Sequence, residues 1–264
     1  MRKHRLDIVL AFAIFLSCSS AVFSQTKSPS VTMPATPGPY DPHDLSGVWF
    51  DDHPRLIRVQ DRYWAYKFTM EEPPMTPWAE AQFKAAKPSF GPSAVPLTET
   101  NDPIYRTCVP MGFPRIFLYP LPFQIIQSPS EILMIFEYDG VRHQIFTDGR
   151  AHDTTLSPLW MGDSIGHWEG NTLVTDTVNF NGKTWIDRIG HPHSEALHVI
   201  ERIRRIDHDH LVDDITIDDP KAYTKPWSAH LPFVLKSKWT LAEVFCEDEN
   251  SFQDIEENET KPAK

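Results

Sequence analysis

The sequence predicts a mainly β protein: an antiparallel meander closed into a barrel, with one or two short helices. A β-sandwich is the alternative. Two observations predict this class. From residue 116 onward, short β-rich runs alternate with tight turns, and no helical pattern separates the successive hairpins. Strands joined by tight turns pair with their neighbours, and a sheet built in this way curls into a barrel or a sandwich.

The strands follow from residue types. The first is the run "LSGVWF", which begins at Leu45. Asp139-Gly140 lies between two β-rich arms, which is the strongest short hairpin signal. Gly170-Asn171 and His208-Asp209 repeat that arrangement further along the chain. The stretch "LPFVLKSKWTLAEVFCED" supplies one or two more strands.

One helix is predicted within "PPMTPWAEAQFKAAKP". Thr76 can cap it, Pro77 suits its first position, and Pro88 stops it. The proline-rich segment that follows, residues 89–115, is expected to be an ordered loop pinned by Cys108.

Residues 194–206 allow two interpretations. On a helical wheel their apolar residues share one arc, so a helix from Ser194 is a rival to a strand. A strand is favoured for the later part because the residues are β-branched and a turn follows at once. The run "LVDDITI" then offers a partner strand of matching length. Residues 193–198 could still form a short helical turn.

The chain divides into four parts. Residues 1–24 resemble a secretory signal peptide, with a basic start and an apolar run too short to span a bilayer. Lipidation at Cys18 is the alternative way of export. Residues 25–44 form a flexible Pro-rich spacer, residues 45–248 a single domain, and residues 249–264 an acidic disordered tail.

Charge limits the partners. Removal of residues 1–24 takes away three basic residues and Asp7, which leaves 22 basic and 35 acidic residues and a net charge of −13. Nucleic acids and anionic membranes require concentrated positive charge, so neither is expected as a partner. No later run is long and apolar enough for a transmembrane span. A small-molecule ligand is the expected partner.

The mature chain keeps only Cys108 and Cys246. An oxidising compartment favours a disulfide bond between them, and two buried free thiols are the alternative.

Glu201 is the first candidate site residue. On an extended strand it shares a face with Leu197, Val199 and Ile203. Burying a carboxylate among apolar neighbours costs folding free energy unless an ion-pair or hydrogen-bond partner compensates it. Burial also raises the pKa of the carboxyl group toward the range of a general acid or base. An internal salt bridge with Arg142 or Arg205 is the structural alternative.

Further candidates flank Glu201. In an enzyme, Glu201 or His193 would be the base and Arg142 would stabilise developing negative charge. The proposed ligand contacts are Asp148, Arg150 and His152 at a barrel rim, Trp168 as a stacking surface, and Glu195 and Arg202 from the segment around Glu201. Alternatively, Asp148 caps its own turn while Arg150 and His152 face water.

No metal or other cofactor is predicted. His191-x-His193 and His208-x-His210 have a spacing that some metal sites use, and His193 would be the best ligand among them. The glutamate that follows a cupin His-x-His by three or four residues is missing, because Leu197 and His198 occupy those positions.

Two resemblances add to this interpretation. "SGVW", Ser46–Trp49, resembles the Gly-x-Trp start of lipocalins and other calycins, which implies an up-and-down barrel with a ligand cavity at one end. "GDSIGHWEGNTLVTDT", "PHSEALHVIERIRR" and "DDPKAYTKPW" resemble segments of a widespread group of exported bacterial proteins of unassigned function, over most of residues 100–250. The second resemblance implies a bacterial origin and no particular activity.

The sequence therefore predicts an exported, periplasmic or secreted barrel that binds a small polar or carbohydrate-like ligand. One alternative is a lyase, isomerase or hydrolase that acts on a carbohydrate-like substrate. Another is an interaction module of an exported complex, which would show an exposed apolar patch.

Overall fold

Nine strands form a closed barrel in chain order. We describe a computed structural model over residues 39–52 and 66–246. The strands are β1 (Gly47–Asp51), β2 (Phe123–Gln127), β3 (Glu131–Phe136), β4 (Arg142–Phe146), β5 (Asp163–Glu169), β6 (Thr172–Val178), β7 (His198–Arg205), β8 (His210–Asp218) and β9 (Trp227–Leu235), and the helices are α1 (Pro77–Ala85) and α2 (Pro103–Thr107). The predicted mainly β barrel with short helices is confirmed.

The predicted hairpins are also confirmed. Asp139 and Gly140 have positive φ values of 54° and 56°, as a two-residue type I′ turn requires, and they join β3 to β4. Gly170 has a φ of 58° at the turn between β5 and β6. Residues 198–205 form strand β7, which pairs with β8, so the strand interpretation of this segment is correct and the helical one is wrong.

One strand pair departs from the predicted antiparallel pattern. Strands β4 and β5 are parallel, with Ile145 beside Ser164 and Phe146 beside Ile165. Parallel neighbours need a long crossover, because the chain must return to the end from which it started. Residues 147–162 make this return without a helix.

The long connections of the described chain gather at one end of the barrel, which we call the cap end. They comprise residues 66–122, 179–197 and 219–226. Thr76, just before α1, donates a hydrogen bond of 2.7 Å from its hydroxyl to the carbonyl of Lys221. Helix α1 begins at Pro77 with Thr76 as its cap, as predicted. The connections therefore cover the cap end with helices and loops that hold one another in place.

The opposite, base end is closed by the start of the described chain. The Arg205 guanidinium lies 5.5 Å from the centre of the Trp49 ring and donates a 2.7 Å hydrogen bond to the carbonyl of Asp44. The Tyr40 hydroxyl bonds the carbonyl of Ile206 at 2.9 Å. Residues 39–44 of the predicted spacer thus pack on the barrel.

Residues 111–118, which we call the plug, enter the barrel from the cap end and are all buried. Phe117 packs at 5.4–5.5 Å from the rings of Phe123, Phe136 and Phe233. Arg115 of the plug is fully buried and donates a 2.9 Å hydrogen bond to the carboxylate of Asp102, which also caps α2. A buried ion pair of this geometry holds the plug to the helix beside it.

A disulfide bond joins Cys108, at the end of α2, to Cys246, with 5.5 Å between their Cα atoms. The predicted pairing is confirmed, and the loop is pinned at Cys108 as expected. The loop also contains α2, and a short 3₁₀ turn, Arg115–Leu118, begins at its last residue.

The predicted signal peptide (1–24), most of the spacer and the acidic tail (249–264) lie outside the described residues. Within the described ranges, no helix has both the length and the apolar character needed to cross a membrane.

Candidate functional site

A cleft of about 190 Å³ opens at the cap end, between α1 and residues 182–193. Two tryptophans, Trp78 and Trp185, supply aromatic surface. Its polar lining groups are Gln82, Asn101, Lys183, Thr184 and His193. A concave site with aromatic walls and a few convergent polar groups is the usual form of a small-molecule site.

Local structure explains how the two walls form. Trp78 and Gln82 are four residues apart on α1, so they lie on one helical face. On the other wall, the backbone of Trp185 pairs with that of Pro192, and the Ile186 amide donates a 2.8 Å hydrogen bond to the His191 carbonyl. This small loop brings Trp185 and His193 to the same side of the cleft.

His193 is a buried neutral base in the cleft wall. Its Nδ1 lies 3.2 Å from the Ser194 carbonyl, which can only accept, so Nδ1 carries the proton. Nε2 lies 2.9 Å from the Thr184 hydroxyl and accepts its hydrogen bond. Burial lowers the pKa of His193 below its usual value. The ring is therefore uncharged at neutral pH and able to take a proton.

Asp219 fixes the backbone that orients His193. Its carboxylate accepts hydrogen bonds from the Ser194 amide at 2.5 Å and from the Ser194 hydroxyl at 2.8 Å. The Ser194 carbonyl, which accepts the hydrogen bond from Nδ1 of His193, is held in place as a result.

Glu201 lies in the barrel interior and is fully buried, as its strand face predicts. The Thr175 hydroxyl donates a 2.6 Å hydrogen bond to Oε2 of Glu201, and Nε2 of His143 lies 3.4 Å from the same oxygen. The predicted arginine partners are wrong. Arg142 is exposed on the outer face of β4, because strand alternation directs His143 inward instead, and Arg205 lies at the base end.

Asp213 joins Glu201 in the interior. Burial, and then the negative charge of Glu201, raise the pKa of Asp213 well above its usual value. A second negative charge beside Glu201 is unfavourable at a buried position, so Asp213 keeps its proton to a higher pH than usual. We call Glu201, Asp213 and His143 the inner cluster.

The plug separates the inner cluster from the cleft. The Phe113 ring stacks on the His143 ring with 4.1 Å between centroids and 7° between planes. At the neighbouring Gly112, a Cβ atom would lie 2.7 Å from the Thr184 hydroxyl oxygen of the cleft wall. The Gly112–Phe113 segment of the plug, which we call the partition, therefore lies between the polar side chains of the cleft and the inner cluster.

The other predicted contacts lie outside the cleft and the barrel interior. Asp148 and Arg150 form an exposed ion pair of 2.6 Å at the base end, where Asp148 also accepts the Arg150 amide and so caps its own turn. The hydrogen bond from Arg150 lowers the pKa of Asp148 to about 2. This is the structural alternative that the sequence left open. His152 lies on the outer face of the barrel, between Asp163 and Asp176, at 2.9 and 3.0 Å.

The last three predicted contacts, Trp168, Arg202 and Glu195, lie apart from one another. Trp168 meets His43 edge-on at 4.7 Å near the base end, and Arg202 is exposed and bonds Glu169 at 2.8 Å. Glu195 is exposed beside Gly182 at the margin of the cleft. Of the nine predicted residues, only His193 lines the cleft.

No group of three or more metal-ligating side chains within the described ranges is arranged to hold an ion. The His-x-His pairs have other partners. His191 contacts Asp187 and Glu72 at 2.5 and 2.7 Å, and His208 and His210 contact aspartates of their own turn.

The sequence did not predict most of the cleft, nor Asp213 and His143 of the inner cluster. Asp213 carried a usable signal, because it alternates with Leu211 and Ile215 along β8 as Glu201 does along β7. No sequence pattern marks Thr184, because the conformation of its loop decides which residues it contacts.

A scan against protein-family models finds no match to the chain. No curated protein and no solved structure is significantly similar to it either.

Proposed function

We propose that this protein is an exported barrel that binds a small, partly polar, carbohydrate-like molecule in the cap-end cleft. The observation that carries the proposal is the combination of Trp78 and Trp185 with five hydrogen-bonding side chains around one cleft. Sugars present an apolar C–H face beside a rim of hydroxyls. Tryptophan faces pack on the former, and amide, hydroxyl and imidazole groups bond the latter.

Two features support export. The first 24 residues have the layout of a signal peptide, and the disulfide bond between Cys108 and Cys246 is typical of oxidising compartments. Export places the cleft where free sugars and polymer fragments are met.

The test uses three matched probes: glucose, glucosamine and glucuronate, titrated by calorimetry. We expect at least one to bind, and we expect Trp185→Ala to weaken that binding about tenfold or more, because the loss of a stacking ring removes buried apolar contact. Trp239→Ala is the matched control, since Trp239 is 47 % exposed and packs on Phe50. Equal effects of the two substitutions would contradict the proposal.

A second candidate is an enzyme that uses His193 as general base in the same cleft. The specific observation is its neutral Nε2, 2.9 Å from the Thr184 hydroxyl and at the cleft wall. Nitrophenyl glycosides and esters test it, because their hydrolysis is visible directly. His193→Gln should keep sugar affinity and abolish hydrolysis. Unchanged hydrolysis in this variant would rule the base out.

A further inference from the structure

The inner cluster has more hydrogen-bond acceptors than donors. Oε1 of Glu201, both carboxyl oxygens of Asp213 and both ring nitrogens of His143 are buried without a hydrogen-bond partner among the described residues. The Thr175 hydroxyl is committed to Oε2 of Glu201. Buried polar atoms are nearly always satisfied in folded proteins, so such a concentration of unsatisfied atoms marks a functional site or a missing partner.

The cluster lies directly behind the cleft. Phe113 covers His143 on the barrel side of the partition, and Gly112 touches Thr184 on the cleft side. Gly112 has a φ of 76°, a backbone conformation that glycine adopts without strain. The Phe113 amide of this peptide donates a 3.2 Å hydrogen bond to the Trp160 carbonyl, and the Gly112 carbonyl accepts one of 3.1 Å from the Ile116 amide, so a movement that joins the cleft to the inner cluster has to break both bonds.

We propose that Glu201, Asp213 and His143 form an inner subsite of the cleft, which receives a hydrogen-bond-donating group of the ligand when the Gly112–Phe113 peptide moves aside. The inference rests on the proposed function, because it extends the same ligand site inward. The unpartnered carboxyl oxygens of Glu201 and Asp213 then gain hydrogen-bond donors.

The chemistry of the subsite selects its ligand. A carboxylate or phosphate group would bring further acceptor oxygens next to the carboxyl groups of Glu201 and Asp213, so it finds few hydrogen-bond donors there. A hydroxyl or a protonated amine supplies donors and fits the surplus of acceptors. The ligand group that enters is therefore an alcohol or an ammonium group, and not a carboxylate or phosphate.

A thiol placed beside Glu201 tests whether the partition opens. Thr175→Cys keeps the side-chain size and a weak donor, and its reaction with methyl methanethiosulfonate is followed by mass spectrometry of the peptide that contains residue 175. Ile132→Cys is the control, because Ile132 is equally buried on β3 toward the base end. Circular dichroism first confirms that both variants are folded.

We expect the thiol at position 175 to react at least tenfold faster than the thiol at position 132. Its reaction rate should not change when urea is added at concentrations too low to unfold the protein. Phe113→Ala should accelerate only the former. Equal rates at the two positions would show that only global unfolding exposes them, and would overturn the inference.

The three probes then identify the group that enters. Glucose, glucosamine or both should slow labelling at position 175 at least fivefold, and glucuronate should not. Protection by glucosamine alone identifies an amine, and protection by both identifies hydroxyls. Probe binding that is lost in Trp185→Ala, yet gives no protection, contradicts the inner subsite and leaves the proposed function intact. No binding of any probe contradicts both.

Discussion

Glu201 and Asp213 face each other diagonally across the β7–β8 ladder, where Glu201 lies opposite Ile215 and Asp213 lies opposite Ile203. Both carboxyl groups are shut off from solvent in the barrel interior. Their proximity makes ionisation of both groups unfavourable, so the folded barrel keeps a proton that the unfolded chain releases.

Asp213→Asn should stabilise the protein at neutral pH. The pKa of Asp213 is raised in the folded state, so stability falls as pH rises above the unfolded value of about 3.9, by about 1.4 kcal/mol per pH unit until the folded pKa is reached. The amide that this substitution introduces can donate to Glu201 but cannot ionise, so the unfolding free energy of the variant should depend less on pH. Urea unfolding between pH 4 and 8 measures that dependence. Asp209→Asn, which removes an exposed partner of His208, is the control. An equal or steeper slope in Asp213→Asn would refute the raised pKa of Asp213.

Gly112→Ala should destabilise the protein more than Gly149→Ala. The two glycines have φ values of 76° and 80°, so both substitutions carry similar backbone strain, of about 1–2 kcal/mol. At Gly112 the new methyl group meets the Thr184 hydroxyl at 2.7 Å, whereas at Gly149 no atom of the described residues lies within 4 Å. We expect an additional loss of about 1–3 kcal/mol in denaturant unfolding. Equal losses would show that the partition yields without cost.

His191 should make stability depend on pH at both extremes. Burial opposes its charge, but Asp187 and Glu72 prevail and raise its pKa to about 9, while the hydrogen bond from His191 lowers the pKa of Glu72 to about 2. The contribution of His191 is complete below its unfolded pKa of 6.5 and is lost toward pH 9. The contribution of Glu72 is complete above 4.5 and is lost toward pH 2.

The difference in unfolding free energy between the wild type and His191→Gln should thus be largest between pH 4.5 and 6.5. We expect about 2 kcal/mol there, since solvent screens the half-exposed Glu72 carboxylate. His208→Gln, in an exposed turn beside Asp209, should show no such profile. A difference that is constant across the pH range would contradict the proposed ion pairs.

Removal of the disulfide bond should cost about 2–4 kcal/mol, because the cross-link constrains a long loop of the unfolded chain. Cys108→Ser/Cys246→Ser is compared with the wild type in urea, before and after reduction. We expect reduction to lower the wild-type unfolding midpoint to that of the double variant. A wild-type midpoint that does not change on reduction would show that the bond contributes nothing.

Sequence reasoning reached the features that depend on neighbours along the chain. The Asp139-Gly140 turn, the α1 cap at Thr76 and the inward face of Glu201 each follow from local backbone geometry. The same alternation argument applied to β8 would have placed Asp213 inside as well. Strand alternation therefore predicts more of the buried polar residues than the nine candidate residues include.

The cleft depends on contacts that no local pattern contains. Asn101, Thr184 and His193 come together only because three long connections meet at the cap end. The sequence predicts Arg142 in the site because its charge suits the chemistry, but the neighbouring residue on the strand, His143, is the one that points inward. The parallel pair β4–β5 had one signal, the length of residues 147–162, which exceeds that of a hairpin turn.

Strand β1 pairs with both β2 and β9, so that Trp49 lies beside Leu235, close to the other end of the described chain. Contacts between such distant residues form late in folding, since the entropy of closing a long loop must be overcome first. Until β9 docks, the growing sheet has open edges that can recruit strands from other chains. The chain is therefore most prone to aggregate during synthesis before β9 has been made. A truncation that removes β9 should yield insoluble protein.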